Sequence, residues 1–392
     1  MPRLRLVTAG ESHGPKLTGV LTGLPAGLRI DPASVDADLA RRQHGYGRGG
    51  RMKIEKDAAL FTGGLRGAET LGTPVAFEIA NLDHPVWEKV MGPIVVDAEA
   101  AAKRRLSSPR PGHADLAGGL KYGRRDLRDI LERASARESA ARVAAGAVCR
   151  QLLLALGIRI RSGVLSVGEV RCGEPESGFS FADLDRVDDA SPFRAVDRNA
   201  ESGMTAAVDA AAKAGDTLGG TVLVGAAGVP AGLGSHVSWE AKLDGRIARA
   251  LMSIPSAKAV SIGEGVTNAA RTGSRAHDPI AWSAESGFAR TSNRAGGLEG
   301  GITNGEDVLV TLFLKPISTL RDGLPSVDID TKAPHRAQYE RSDVTAVPAA
   351  GVIAEAMLAF VLADALLEKT GGDSMDEVMR NFEGFVKAQR GF

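Results

Sequence analysis

The sequence predicts an α+β fold in a single domain spanning residues 1–392, and three observations lead to it. Short β-like runs separated by glycine-rich turns fill the first third of the chain, and long helical patterns appear later. Strands and helices do not alternate strictly enough for a doubly wound parallel sheet. No linker, low-complexity run or internal repeat divides the chain, so one intertwined domain is more economical than two.

Taken in order, residues 4–7, 17–21, 58–61 and 75–79 read as strands pairing locally and antiparallel, with a short helix over 32–42. Residues 126–156 are helical and alanine-rich, and Ser135-Ala136-Arg137-Glu138 fits a capping box that starts the main helix at Ser135. Strands follow at 164–170 and 221–229, a helix at 239–252 and a third clear strand at 308–314. Residues 348–369 form a helix with proline in its first turn and Gly371-Gly372 just past its end, and 374–389 form the last helix.

Composition excludes several classes. The 48 basic and 48 acidic residues cancel, so anion binding must come from local clustering, and whole-chain steering of nucleic acid is not expected. Aromatic residues make up 4%, too few for the stacking platforms of single-strand binders. Cys149 and Cys172 have no metal-like spacing and suit a reducing compartment. No apolar leader precedes the first polar cluster, so a cytoplasmic location is expected. The apolar region 344–367 is interrupted by Pro348, Glu355 and Asp364 and reads as a buried helix rather than a membrane span.

Chemistry concentrates in a few loops. Gly10-Glu11-Ser12-His13-Gly14 follows the first strand, and its glycines either present Ser12 and His13 to a ligand or form an ordinary turn. Arg41, Arg42, Arg48, Arg51 and Lys53 are interleaved with glycines and no acid, which makes an anion loop or a solvated basic one; arginine forks match phosphate and carboxylate. Ser108-Pro109-Arg110-Pro111-Gly112-His113 holds its arginine between two prolines and places a candidate general acid three residues on. Arg133 and Arg137 flank the proposed helix start, where dipole and guanidinium would meet an anion unless both arginines simply face solvent. Lys315-Pro316-Ile317-Ser318-Thr319, Arg341-Ser342-Asp343 and the glycine-rich run 293–301 add hydroxyl, cationic and bare-backbone groups. Walker, G-x-S-x-G and two-histidine zinc motifs are absent. The first alternative is a non-catalytic flavin- or phosphate-binding protein using the same arginine loops, opposed by His13, His113 and Asp343 together, which plain anion binding does not need; a metal enzyme using Glu11, His13 and His113 comes third, opposed by the surrounding arginines.

Six of these motifs in order, Gly10 to Gly14, Arg41-Arg42 to Arg51, Arg110 to His113, Glu132 to Glu138, 293–301 and Arg341-Ser342-Asp343, resemble the chorismate synthase family over nearly the whole chain. The resemblance implies a β-α-β sandwich with helices between antiparallel sheets. It implies a lyase of the shikimate pathway that eliminates phosphate from 5-enolpyruvylshikimate 3-phosphate, for aromatic amino acid biosynthesis. It associates the family with FMN, FAD and NADPH; reduced FMN is the one required, and NADPH enters only as a source of flavin reduction. A homotetramer built as a dimer of dimers is implied, with a separate flavin reductase as possible partner and no nucleic acid, membrane or metal.

The residue roles it implies are specific. His13, His113 and Asp343 are the catalytic set: His13 protonates the departing phosphate, His113 stabilises the reduced flavin and Asp343 assists proton transfer at flavin N5. Ser12, Arg42, Arg48, Arg51, Arg110, Ser135, Arg137 and Arg341 bind substrate. Arg133, Ala134, Ser135, Pro255, Ser256, Gly300, Lys315, Pro316, Ile317, Ser318, Thr319 and Arg341 contact the cofactor, and Arg42 and Arg48 fall where a nicotinamide nucleotide is proposed to bind. The family commonly has an amide residue and alanine where this chain has Pro255-Ser256, and proline has no N–H to offer a flavin.

Overall fold

The computed structural model describes residues 3–175, 178–285, 287–340 and 342–392. The first sheet consists of β1 (Arg5–Ala9), β2 (Lys16–Thr22), β3 (Leu60–Gly63) and β4 (Val75–Ala80), in spatial order β1-β2-β4-β3. Every pairing in it is antiparallel. Period-two burial orients it: Leu17, Gly19 and Leu21 of β2 lie opposite Ile79, Phe77 and Val75 of β4, and the side chains of the five non-glycine residues face the core.

The second sheet contains β5 (Arg159–Val167), β6 (Val170–Arg171), β7 (Gly220–Ala227), β8 (Ala257–Ile262) and β9 (Val308–Leu314), in order β8-β9-β7-β5-β6, again antiparallel throughout. Among the described helices are α1 (Pro32–Gln43), α2 (Asp115–Tyr122), α3 (Arg128–Ala134), α4 (Ser139–Ala155), α5 (Leu243–Met252), α6 (Val347–Thr370) and α7 (Met375–Arg390). Helix α4 packs on the first sheet, α6 packs on β5 and β7 of the second, and α4 and α6 pack on each other beside α1. This is the α+β sandwich, helices between antiparallel sheets, that the sequence led us to expect.

Helix α6 is the one described helix long and apolar enough to cross a membrane, and it is buried on nearly every side by this layering. Its two buried acids are matched. Glu355 accepts from Arg41 at 2.8 Å, Arg194 at 2.9 Å and Ser162 at 2.7 Å. Asp364 accepts from the Leu4 amide at 2.8 Å and Arg246 at 2.6 Å. Burial would raise the Glu355 carboxyl, but the arginines outweigh it and hold it far below the usual carboxylate range. Cys149 and Cys172 are both free and buried.

Several boundaries differ from expectation. The helical region 126–156 is three pieces: α3, a 3-10 turn Ala136–Glu138, and α4. Ser135 is extended and its Oγ takes the Arg137 amide at 3.3 Å, but no capping box forms, because Glu138 pairs instead with Arg142 one turn on at 2.8 Å. The strand expected at 164–170 begins at Arg159 and turns at Gly168 into β6. The helix expected at 239–252 starts as a 3-10 turn, Trp239–Ala241, interrupted by extended Lys242. The strand expected at 58–61 is shifted to Leu60–Gly63.

Candidate active site

The site is built where loops from both sheets meet the N-terminal ends of α4 and α6. Gly10 ends β1 with φ +105, where a Cβ would press on the Lys16 carbonyl and on Leu17 Cα at 3.0 Å. The Gly10 to Gly14 turn therefore folds tightly and docks onto α3: the Ser12 amide donates to the Glu132 carbonyl at 2.9 Å, and Asn81 Nδ2 ties the Gly14 carbonyl at 2.7 Å. His13 Nδ1 lies 2.9 Å from Glu132 Oε1, and its ring stacks on Trp87 at 4.1 Å between centroids.

His13 opens into a cavity of about 750 Å³, a volume typical of small-molecule sites. Among the described residues its lining carries nine lysines and arginines against two acids, Glu340 and Asp343. A chain of zero net charge has thus gathered a cationic chamber, and the low-dielectric walls strengthen its field.

Of the sequence-predicted residues, Ser12, His13, Arg42, Arg48, Arg51, Arg110, His113 and Arg137 line this cavity together with Asp343. So do Ala134, Ser135, Pro255, Ser256, Lys315, Ile317, Ser318 and Thr319. Three do not. The Arg133 guanidinium turns away to the Thr8 carbonyl at 3.0 Å and the Gly10 carbonyl at 3.1 Å, and neither Pro316 nor Gly300 is among the lining residues. Gly300 sits in the turn of the small hairpin Leu298–Glu299 and Ile302–Thr303. Arg341 lies outside the described residues.

The arginines are held by acids behind the wall. Arg42 Nη2 donates to Asp57 at 2.7 Å, and Asp57 also takes Arg137, whose Nε donates to Asn81 at 2.8 Å. Burial would raise the Asp57 carboxyl, but the two guanidiniums prevail and lower it. Arg51 donates to Ser12 Oγ at 2.6 Å and pairs with Glu55 at 3.1 Å. Arg48 pairs with Asp343 at 2.7 Å, and the Gly49 amide donates to the same carboxylate at 2.6 Å. Arg110 Nε reaches buried Asp115 at 2.9 Å and Nη1 reaches Thr319 Oγ1 at 2.9 Å, while His113 Nδ1 contacts Asp115. Hydrogen bonds from His113 and Arg110 overcome burial and hold Asp115 well below the usual range.

Sequence reasoning missed Trp87, whose ring carries His13 and lies under the Arg104 and Arg128 guanidiniums at 4.6 and 5.1 Å. A tryptophan in a His84-Pro85-Val86-Trp87 turn was the available signal. The metal grouping is not formed: among the described residues no three His, Cys, Asp or Glu could hold an ion, and Glu11 does not line the cavity.

A phosphorylated flavin is compatible with this lining. Arg42 Nε is buried in the wall without a hydrogen-bond partner among the described residues, an unmet donor that an anionic ligand would satisfy. Ser256, Ser318 and Lys315 add hydroxyls and a cation. Burial and neighbouring Lys258 lower the Lys315 pKa. Ser256 has φ +72, a strained conformation for a non-glycine residue, held by the Lys315 amide donating to its carbonyl at 2.9 Å.

Comparison with known proteins identifies the family. Residues 4–367 match the chorismate synthase family. The chain is 52% identical over 387 residues to the chorismate synthase of Symbiobacterium thermophilum, covering 98% of this chain and 99% of that one. It is 49% identical over 391 residues to the Bacillus subtilis enzyme, 99% and 100% of the two chains. A crystal structure of chorismate synthase superposes with a TM-score of 0.80 at 40% identity over the whole of both chains. These relatives place the chain among the carbon–oxygen lyases. The chain belongs to the chorismate synthase family.

Proposed function

We propose that this protein carries out the anti-1,4-elimination of phosphate from 5-enolpyruvylshikimate 3-phosphate, giving chorismate, with reduced FMN and no net redox change. The observation that carries the reading is the cavity charge, nine cationic side chains against two acids around two histidines, matched to a substrate with one phosphate and two carboxylates.

Arg42, Arg48, Arg51 and Arg110 would neutralise the substrate, with Ser12 and Ser135 adding hydrogen bonds. Arg137 spends its guanidinium on Asp57, Asn81 and the Ala80 carbonyl, so it acts by keeping Asp57 neutralised. As the carbon–oxygen bond to phosphate breaks, the proton on His13 Nε2 passes to the departing phosphate oxygen. Ala134, Pro255, Ser256, Ile317, Ser318, Thr319 and Lys315 would hold the flavin, and His113 would stabilise its reduced form. What reduced FMN supplies there when bound is transient electron donation, because a concerted anti-1,4-elimination is disfavoured. The elimination also removes a proton from substrate C6, and Asp343, fixed by Arg48 and the Gly49 amide, would assist its removal. Closure of the glycine-rich arginine loop would exclude water and strengthen these charges.

The same reading places the protein in the cytoplasm as a homotetramer formed from one domain per chain, with flavin reduced by a separate reductase. Its two buried free thiols support a reducing compartment. The test is anaerobic turnover of 5-enolpyruvylshikimate 3-phosphate, followed by chorismate absorbance, with dithionite-reduced FMN and, in parallel, with oxidised FMN plus NADPH. Chorismate in the first alone makes the enzyme reductase-dependent, and chorismate in both makes it self-reducing. No chorismate from folded protein in either refutes the proposal.

A further inference from the structure

We infer that Glu132 is the positioning residue of His13: its buried carboxylate holds the proton on Nδ1 and turns Nε2 into the cavity. The inference rests on the reading of His13 as the acid in the proposed elimination.

Three contacts leave the ring little freedom. Glu132 Oε1 and Oε2 lie 2.9 and 3.1 Å from Nδ1, and Oε2 also takes the His13 backbone amide at 2.8 Å. Trp87 stacks on the ring face at 4.1 Å with an interplanar angle of 25°. His84 Nδ1 lies 2.9 Å from the His13 carbonyl. The Glu132 side chain is 0% exposed while that of His13 is 12% exposed, so the carboxylate stands behind the imidazole and the imidazole meets the cavity.

The charges settle the tautomer. Burial would raise the Glu132 carboxyl, but the His13 hydrogen bonds, the His13 charge and Arg128 at 3.3 Å outweigh it and lower it. An ionised carboxylate only accepts, so Nδ1 must donate. On the other side Nε2 lies 3.4 Å from Arg51 Nη1, and a guanidinium only donates. While it carries no hydrogen Nε2 accepts from Arg51; once it is protonated, only an acceptor such as a phosphate oxygen can sit between the two donors. Glu132 and Arg128 from α3, Arg51 with Glu55 behind it, and Arg104 across Trp87 are the charged groups around the ring. A similar carboxylate meets His113 Nδ1, but Arg110 Nη2 lies 3.0 Å from that nitrogen too, so the inference is confined to His13.

The test combines spectroscopy and kinetics. With ¹⁵N-histidine labelling, and Glu132→Gln, Glu132→Asp and an assigning His13→Asn variant, two-bond ¹H–¹⁵N correlations report which ring nitrogen carries hydrogen. Nδ1 of His13 should be protonated in the wild type. An amide at position 132 can donate or accept, so Glu132→Gln should mix the tautomers. Its kcat should fall about a hundredfold while KM changes less than about threefold, as for other residues that orient a functional histidine. Glu132→Asp should recover part of the loss. A wild-type Nδ1 without hydrogen, or a Glu132→Gln kcat within about threefold of wild type, overturns the inference. If Glu132→Gln fails to fold, the wild-type spectrum and Glu132→Asp still decide. A protonated Nδ1 in a protein that makes no chorismate would sink the proposed function and leave the positioning intact.

Discussion

Gly146 lies on α4 where that helix crosses α6, and replacing it with alanine sets two effects of known size against each other. Helix propensity alone favours alanine in a helix interior by about 1 kcal/mol. The structure opposes it, because a Cβ at Gly146 would fall within van der Waals overlap of Ala356 Cβ and Cα and 2.6 Å from the Ala356 carbonyl oxygen. Backbone atoms cannot rotate away, so the helices must separate. Overpacking of this kind costs about 1–3 kcal/mol, and contact with backbone puts it at the upper end. The net expectation is a loss of about 2 kcal/mol, a fall in Tm of about 2–3 °C for a chain of this length. Both helices begin in the cavity wall, α4 just after Ser135 and α6 at Ala349 and Ala350, so KM should rise as well. Urea unfolding and thermal melts of Gly146→Ala beside wild type provide the measurement. A variant as stable as wild type or more so would mean that the α4–α6 crossing is not the close contact described.

Two more outcomes are expected. His13→Ala and His113→Ala should each lower turnover by about two to four orders of magnitude with FMN binding, read from flavin fluorescence, largely retained; unchanged turnover would remove the residue from the mechanism. Asp57, Asp115, Glu132 and Glu355 all have folded-state pKa values below their ordinary ones. Their contribution is therefore fully present above the unfolded carboxylate range of about 4 and is lost as pH falls through the lowered values. Denaturant midpoints should vary little from these groups between about pH 7 and 5 and drop below about 4; a flat profile down to about pH 3 would contradict the ion pairing.

The sequence by itself determined the parts whose causes are local. Alternation of apolar residues placed β2 and β4 and their antiparallel pairing, and the same pattern set β7 and β9 within a residue or two. Ser374 with Glu377 forms the capping box of α7, and Gly371 ends α6, because those signals act within one helical turn. Most of the cavity's chemistry was equally legible, since glycines and arginines without nearby acids advertise an anion site whatever lies around them. Capping at Ser135 was not, because Glu138 chose Arg142 over the backbone, a competition between two local partners that composition does not decide. Nor could the sequence tell that Arg133 leaves the cavity while Arg137, four residues on, stays in its wall. The partners that give each group its function come from far along the chain: Glu132 behind His13, Asp57 between Arg42 and Arg137, Asp343 against Arg48, and Trp87 beneath the His13 ring. Such pairings depend on how two sheets and three helices stack, and only packing of the whole core brings His13 and Glu132, or Arg48 and Asp343, more than a hundred positions apart, to within 3 Å.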